Sequence, residues 1–512
     1  MATVRLSEEQ NPRPASQMPR EGKNPRSPAS RYSVTRAFSF PVMCMFLLAA
    51  VTLALCAKQF AEPDMWWHLR SARDLLLTHN FSPVDTYSFT AAGSKRMNYE
   101  WLSEVAYFLA YRAAGLRGIL SLYFAVLVAM FAGVYYLCCS AGSDCKNATL
   151  PTLLGIFLAA VSIGPRTLLF GWLCMVGLLL VLDRFRRTGR GLWLLPPLFA
   201  LWINFHPSWV FGIVVVVLTI ASGLIHGEWG LVSATKWTSE QLRSLLIGLG
   251  ASIAALFVNP VGYRLVFYPF DFLFRQQSNM SYIEEWQPLD LSSGDGKLAL
   301  LAIFGLLAAT LLSRRRWRLQ EMLLTAFALS MSLSHTRFLF LAGLILPPIL
   351  AQRLPLFPPY DADIDKPWLN AAIMICVAAS LLVFFPSQAK LQQKVDEQYP
   401  TEALKFMQRE GFKGRTFNQY LWGGYMEWVT PDLKPFIDGR GDIFVYNGIL
   451  DDHRKTTSID IPLEVLDKYR VDYLLLQPNK PLTYLVQHSA SWRPVYADKV
   501  AVAFERIHGT VN

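Results

Sequence analysis

The chain has 512 residues, of which 53% are hydrophobic and only 17% charged, with a formal net charge of +10 and a mean hydropathy of +0.28. Soluble chains carry about 25% charged residues, so this composition excludes an ordinary soluble protein and places the chain in a bilayer. The basic excess does not mark a nucleic-acid binder. The arginines instead cluster between apolar runs, at Arg184, Arg186, Arg187 and Arg190 and again at Arg314, Arg315, Arg316 and Arg318, the pattern of cytoplasmic loops.

In chain order, residues 1–37 scatter Arg13, Arg20, Lys23, Arg26, Arg31 and Arg36 among Pro and Ser, which predicts a disordered basic cytoplasmic tail. No small-residue cleavage site follows the first apolar run, which therefore reads as a retained helix. A hydrocarbon core takes roughly 20 apolar residues per helix. That ruler predicts an α-helical polytopic domain over 38–386, with about eleven spans near 38–57, 117–139, 148–163, 166–183, 191–204, 207–226, 242–259, 297–313, 319–333, 336–353 and 368–386. The joints at Gly164–Pro165 and His206–Pro207 fit either two spans or one broken helix. Beyond Ser387, residues 387–512 alternate helix-like and strand-like pieces and predict a soluble α/β domain. Its strands are expected at 414–417, 435–437, 471–477, 494–497 and 500–505, and its helices at 401–410, 419–428, 462–469 and 481–489. The seven cysteines show neither a disulfide framework nor zinc-ligand spacing.

With the N-terminal arm in the cytoplasm, eleven crossings put both Arg clusters inside and the C-terminal domain outside. The outer face then receives the 58–116 loop, Gly164–Arg166, Asn204–Pro207, the 259–296 loop and Ser334–Arg337. Within the first loop, Pro63 precedes Asp64, His68 and Ser71 at i, i+4, i+7 spacing. Trp66, Leu69 and Leu76 form an apolar stripe, so the segment reads as an amphipathic helix on the membrane surface. A second follows, with Glu100 and Glu104 on one face and Trp101, Val105 and Phe108 toward lipid.

Glu62-Pro63-Asp64 is the most informative motif. Two carboxylates beside the outer end of a span are costly unless solvated, paired or metal-bound. They read as a general base, with or without a divalent cation, or as a solvated helix cap. Arg166 and Arg337 read as phosphate grips or as headgroup anchors. His206 reads as a ligand or as an interfacial ring. Glu284 and Glu285 read as solvated charges. Asp438-Gly439-Arg440-Gly441-Asp442 follows a candidate strand and either presents Asp and Arg to a ligand or closes on an internal ion pair. No Walker loop, Rossmann fingerprint, nucleophile elbow or zincin helix is present.

Glu62-Pro63-Asp64-Met65-Trp66-Trp67-His68 and Tyr99-Glu100-Trp101-Leu102-Ser103-Glu104 resemble the first outer loop of GT-C superfamily glycosyltransferases. More closely, the chain resembles a group of bacterial polytopic membrane proteins related to that superfamily. The matching residues are Trp202 to His206, Asn259-Pro260-x-Gly262, Glu285-Trp286, Arg337-Phe338, Phe417 to Tyr425 and Phe436 to Arg440, so the resemblance spans about 40–507. It implies an inverting glycosyltransferase of the inner membrane. The donor would be a polyprenyl-phosphate-linked sugar and the acceptor a glycan, lipid or protein at the outer face. Asp64 would be the base, with Glu62 second. Arg337, Arg166, His206, His68, Glu100 and Glu104 would bind donor phosphate or substrate. Many members pair adjacent acidic residues, whereas Pro63 separates them here, and the metal is left unassigned. A lipid-linked glycan flippase and a non-catalytic envelope assembly protein are the alternatives.

Overall fold

The computed structural model describes residues 37–58, 60–275, 284–313 and 315–507. The expected tail over 1–37 thus lies almost wholly outside the described residues, as does Arg314. The membrane part is built from α1 (Phe40–Lys58), α2 (Asp64–Thr78), α3 (Trp101–Ser140), α4 (Cys145–Ala159), α5 (Leu168–Thr188), α6 (Leu195–Phe205), α7 (Trp209–Ser222), α8 (Ser239–Ala255), α9 (Tyr263–Arg275), α10 (Gly294–Leu312), α11 (Leu319–Ser334), α12 (Leu339–Ala351) and α13 (Pro367–Phe384). Six of these regions are long and apolar enough to cross a membrane among the described residues, and three shorter apolar helices cover 192–205, 209–222 and 336–351. The chain is therefore a multi-pass membrane protein. Between its helices the short strands β1 (Gly227–Trp229), β2 (Val232–Ala234) and β3 (Trp317–Arg318) form a small sheet. A helix occupies each of the eleven ranges the sequence marks as a span. Both Pro-marked joints separate two helices: Ile163 and His206 adopt extended backbone between them.

Close backbone approach holds the bundle together. A Cβ on Gly155 of α4 would stand 2.4 Å from the Gly343 carbonyl of α12, and the reverse distance is 2.6 Å. Small residues allow such crossings where no hydrophobic force between helices exists. In α3, Ala114 (φ −148°) and Gly115 (φ 59°) leave helical geometry, so the segment carrying Glu100 and Glu104 is offset from the membrane helix by a kink.

Two expectations for the first loop are corrected. Trp66 does not face lipid: its ring meets Tyr425 at 4.8 Å and Tyr399 at 5.7 Å. Trp101 and Phe108 also meet protein, Trp101 through an indole hydrogen bond to Asn204 Oδ1 at 2.8 Å and Phe108 edge-on to Trp428. An apolar stripe fixes which face is buried, not what buries it. Here the C-terminal region does so.

That region continues with α14 (Gln388–Gln398) and α15 (Thr401–Arg409). It then runs through β4 (Gly414–Asn418), α16 (Gly423–Val429), β5 (Leu433–Pro435), α17 (Gly441–Tyr446), α18 (Ile449–Thr457), α19 (Pro462–Lys468), β6 (Tyr473–Leu476), α20 (Pro481–Gln487), β7 (Trp492–Ala497) and β8 (Val502–Arg506). The sheet order is β5-β4-β6-β8-β7. β4 lies parallel to β5 and β6, while β8 is antiparallel to β6 and β7. β5 ends at Pro435, before the strand expected at 435–437, because Asn418 Oδ1 takes the Phe436 amide at 2.8 Å and its amide group holds the Ile437 carbonyl at 2.9 Å. Ser387 caps α14. Leu391, Val395, Leu404, Trp422, Tyr425 and Met426 join the same apolar core as the membrane helices. The first loop docks on the sheet through the Phe89 amide and Pro435 carbonyl.

Candidate functional site

The eight candidate residues gather at one end of the bundle, seven of them in three groups and Arg337 beside Trp286. The first begins with spacing on α2. The i, i+4, i+7 face sends His68 into the Glu104 carboxylate, Nδ1 to Oε1 at 3.0 Å, and places Ser71 as acceptor from Arg96 at 2.9 Å and Asn98 at 3.0 Å. Asn98 also donates to Glu104 Oε2 at 2.6 Å. The ring's Nε2 stands 3.8 Å from Glu100 Oε2, and His206 Nε2 lies 3.2 Å from Glu100 Oε1. The Ser208 backbone N–H donates to His206 Nδ1 at 3.0 Å. Nδ1 is therefore unprotonated, and the proton sits on Nε2, pointed at Glu100.

The charges of this group follow from burial and neighbours. Burial, then the Arg337 charge, holds His206 well below its ordinary pKa, so this ring stays neutral. Burial also opposes a charged His68, but Glu104 and then Glu100 and Asp64 override it and raise its pKa. Burial, with Glu104 beside it and His68 opposing, pushes Glu100 up to about 7.

In the second group, Glu62 accepts from Arg166 Nε at 2.8 Å, and the same guanidinium reaches Glu285 Oε1 at 2.5 Å. Glu285 is therefore not the solvated charge its loop position suggests. Burial lifts the Glu62 pKa against the pull of Arg166.

The third group is Asp64 itself. It stands in the first turn of α2, half-buried, and accepts from the Trp67 indole at 3.2 Å. The turn after β5 lies on it: a Cβ on Gly439 would stand 1.9 Å from Asp64 Oδ1. The neighbouring Arg440 is buried and donates to Asp438 Oδ1 at 2.8 Å, Asp85 Oδ1 at 2.6 Å and Glu427 Oε1 at 3.1 Å. The Asp438–Arg440 turn thus closes on internal ion pairs and clamps the first loop to the C-terminal region.

Asp64 and Arg337 differ from the other candidates. Among the described residues neither has an ion-pair partner, whereas Glu62, His68, Glu100, Glu104, Arg166 and His206 all lie in paired networks. Arg337 rests its guanidinium 5.4 Å from the Trp286 ring centroid. No group of three His, Cys, Asp or Glu side chains among the described residues converges as a metal site. Glu62 is turned to Arg166 rather than paired with Asp64, so the donor set does not fit a cation held between those two carboxylates.

The sequence marked Asp442 only as the end of the Asp438–Asp442 turn and Tyr99 only within the resembling motif, and it did not point to Tyr268. Tyr99 and Tyr268 stack at 4.3 Å, and Tyr268 donates to Asp442 at 3.3 Å. Together with Trp67, Glu100, Glu104 and Arg440, Tyr99 and Asp442 border a narrow crevice between the first loop and α17. Burial pushes Asp442 up to about 6. An acidic residue beside a Gly-Arg turn was visible in the sequence, but nothing there joined it to Tyr99.

No family model matches the chain, and no curated protein matches it. Several solved structures do, two of them as follows. The archaeal oligosaccharyltransferase AglB from Archaeoglobus fulgidus, in complex with an inhibitory peptide and a dolichol-phosphate, aligns over 95% of this chain and 75% of its own at 13% identity and a TM-score of 0.54. ArnT from Cupriavidus metallidurans, bound to undecaprenyl phosphate, aligns over 94% of this chain and 99% of its own at 14% identity and a TM-score of 0.51. The chain shares their fold. At these identities the likeness concerns architecture, and it includes the C-terminal region, since nearly the whole chain is covered.

Proposed function

We propose that the protein is a membrane glycosyltransferase that moves a sugar from a polyprenyl-phosphate donor to an acceptor hydroxyl at the membrane face carrying Asp64. The observation that carries this reading is the pair of unspent charges. The other candidates are paired with a neighbour or, like His206, held neutral by burial, while among the described residues Asp64 accepts only from the Trp67 indole and Arg337 has no carboxylate partner, which suits a base and a phosphate grip. Two proteins of the same fold, solved with dolichol-phosphate and undecaprenyl phosphate, support the donor class.

In this reading Asp64 accepts the proton of the acceptor hydroxyl as its oxygen attacks the anomeric carbon. The bond from that carbon to the phosphate oxygen breaks, its electron pair leaves with the polyprenyl phosphate, and the configuration inverts. Arg337 offsets the charge developing on the departing phosphate. Arg166 is held between Glu62 and Glu285 and so orders the Gly164–Arg166 turn rather than gripping phosphate. Neutral His206 and Glu100 shape the acceptor side, and Glu104 holds His68. The positive-inside pattern supports an extracytoplasmic Asp64 face, since α5 and α12 both run from this end toward the Arg186 and Arg353 end.

The test uses the full chain in lipid with a labelled polyprenyl-phosphate hexose and envelope acceptors. Asp64→Asn and Arg337→Gln, at normal membrane yield, are expected to abolish sugar transfer and polyprenyl-phosphate release. Turnover retained by Asp64→Asn would remove Asp64 as the base. Labelled donor that crosses the bilayer without any release of polyprenyl phosphate would replace the transferase with a flippase.

A further inference from the structure

The opposite end of the bundle holds a second cavity of about 350 Å³, within the range of about 300–1,000 Å³ usual for small-ligand sites. It lies where the ends of α3, α5 and α12 meet the start of α11. Leu168 and Arg186 of α5 are eighteen residues apart, about 27 Å at the rise of a helix, so this cavity is remote from Asp64. Its walls divide by chemistry: Leu179, Leu324 and Ile345 form an apolar floor, and Arg186, Arg187 and Arg318 stand at the rim.

The rim carries unbalanced charge. Asp183 is spent on Arg187 at 2.5 Å, and Glu321 is spent on the buried Arg353 at 2.7 Å. Arg318 reaches Glu321 only at 3.9 Å. Arg186 finds the neutral amide of Gln320 and, among the described residues, no carboxylate. It feels the like charges of Arg318 and Arg315 and, against them, those of Glu321 and Asp183. Gln352, which also lines the cavity, buries an Oε1 without a hydrogen-bond partner. Guanidinium groups crowded at the end of a hydrophobic span are costly without a counter-charge. A guanidinium fork matches the oxygens of a phosphate in two-point geometry. Basic pockets between transmembrane helices are suited to anionic headgroups.

We propose that this cavity binds the phosphate headgroup of an anionic membrane lipid between Arg186 and Arg318, with an acyl chain along the Leu179, Leu324 and Ile345 floor. The floor decides between a lipid and a free phosphate, because inorganic phosphate has no use for an apolar wall. The site does not rest on the glycosyl-transfer reading, and lipid retention is read without turnover.

The experiment takes the full chain from mixed phosphatidylglycerol and phosphatidylcholine nanodiscs into native mass spectrometry. The wild type is expected to retain phosphatidylglycerol several-fold over phosphatidylcholine and to gain thermal stability from it. Arg186→Gln with Arg318→Gln is expected to bring retention to parity. Leu324→Trp, which fills the floor and leaves every arginine in place, is expected to lose the lipid as well, so the conclusion stands if the double variant fails to fold. Equal retention of the two lipids by the wild type overturns the proposal, as does unchanged preference in Leu324→Trp. Displacement of the lipid by inorganic phosphate alone would make the site one for free phosphate, and the lipid assignment would fall.

Discussion

Arg440→Met removes the cation on which the C-terminal turn closes. Arg440 is 4% exposed and Asp438 and Asp85 are 0% and 1% exposed, so the substitution strands two buried carboxylates. Burial alone would raise the Asp438 pKa, but Arg440 overrides it and holds the group below the ordinary carboxylate range. A depressed pKa stabilises the fold above the unfolded value, and that contribution is lost as pH falls through the folded one. Breaking a buried pair by deleting one partner costs about 3–5 kcal/mol, which is about two to four decades in an opening equilibrium. Glu427→Gln is the internal control. Burial and the nearby Asp438 charge raise the Glu427 pKa well above its ordinary value. That shift favours the protonated form, so a neutral amide should cost no more than about 1 kcal/mol. Hydrogen exchange of the protein in lipid reads both variants. Arg440→Met should deprotect the β4 and β5 amides and the first loop by about two decades or more, with Glu427→Gln close to wild type. Exchange in Arg440→Met within a few-fold of wild type would refute the clamp, and equal loss in both variants would refute the protonated Glu427.

Three further outcomes follow from the site. Gly439→Ala places a methyl 1.9 Å from Asp64 Oδ1. One of the two must move by about 1 Å or more, a displacement that can cost on the order of 100-fold in rate, so turnover should fall steeply while Asp64 remains, and unchanged turnover would detach the turn from catalysis. Glu100 has a folded pKa raised from 4.5 to about 7, so its contribution is fully present below the unfolded pKa and lost as pH rises through about 7. The shift corresponds to roughly 3 kcal/mol. Glu100→Gln should therefore flatten the fall in thermal midpoint across that window, and an unaltered slope would mean that another group sets it. Arg166→Gln leaves Glu62 and Glu285 without their shared cation and should lower stability by about 1.5–3 kcal/mol. Glu62→Gln in the same background should recover part of that loss by double-mutant cycle.

How far the sequence could lead depends on the range of the interaction. The apolar helices were legible because the bilayer imposes length and apolarity on each segment separately. Prolines at 165 and 207 marked the joints because the residue before a proline avoids helical backbone, and Gly164 and His206 do lie between helices. On α2 and α3, local spacing was enough to put Asp64, His68 and Ser71 on one face and Glu100 with Glu104 on another. Partners were not legible. Arg166 meets Glu285 across 119 positions and Arg440 meets Asp85 across 355, and no local pattern encodes such pairs. For the same reason Trp66 was assigned to lipid although its ring meets Tyr425. The helices Gly441–Tyr446 and Ile449–Thr457 were missed as well, because six to nine residues offer too few turns for a period to show.

The Asp438–Arg440 turn ties the two halves of the site together, and it does so with consecutive residues. Arg440 reaches back to Asp85, fixing the first loop against the sheet. Gly439, one residue earlier, has no side chain and so admits the backbone against Asp64. Asn418 at the end of β4 holds the backbone of Phe436 and Ile437 just before the turn. A chain of short contacts therefore runs from the sheet, through three residues, to the carboxylate proposed as the base. Asp64 and the C-terminal region are in this sense one device: the turn lies on Asp64, and α2 is packed on α3 through His68 and Glu104. The membrane helices set where Asp64 stands, and the C-terminal region sets what can reach it.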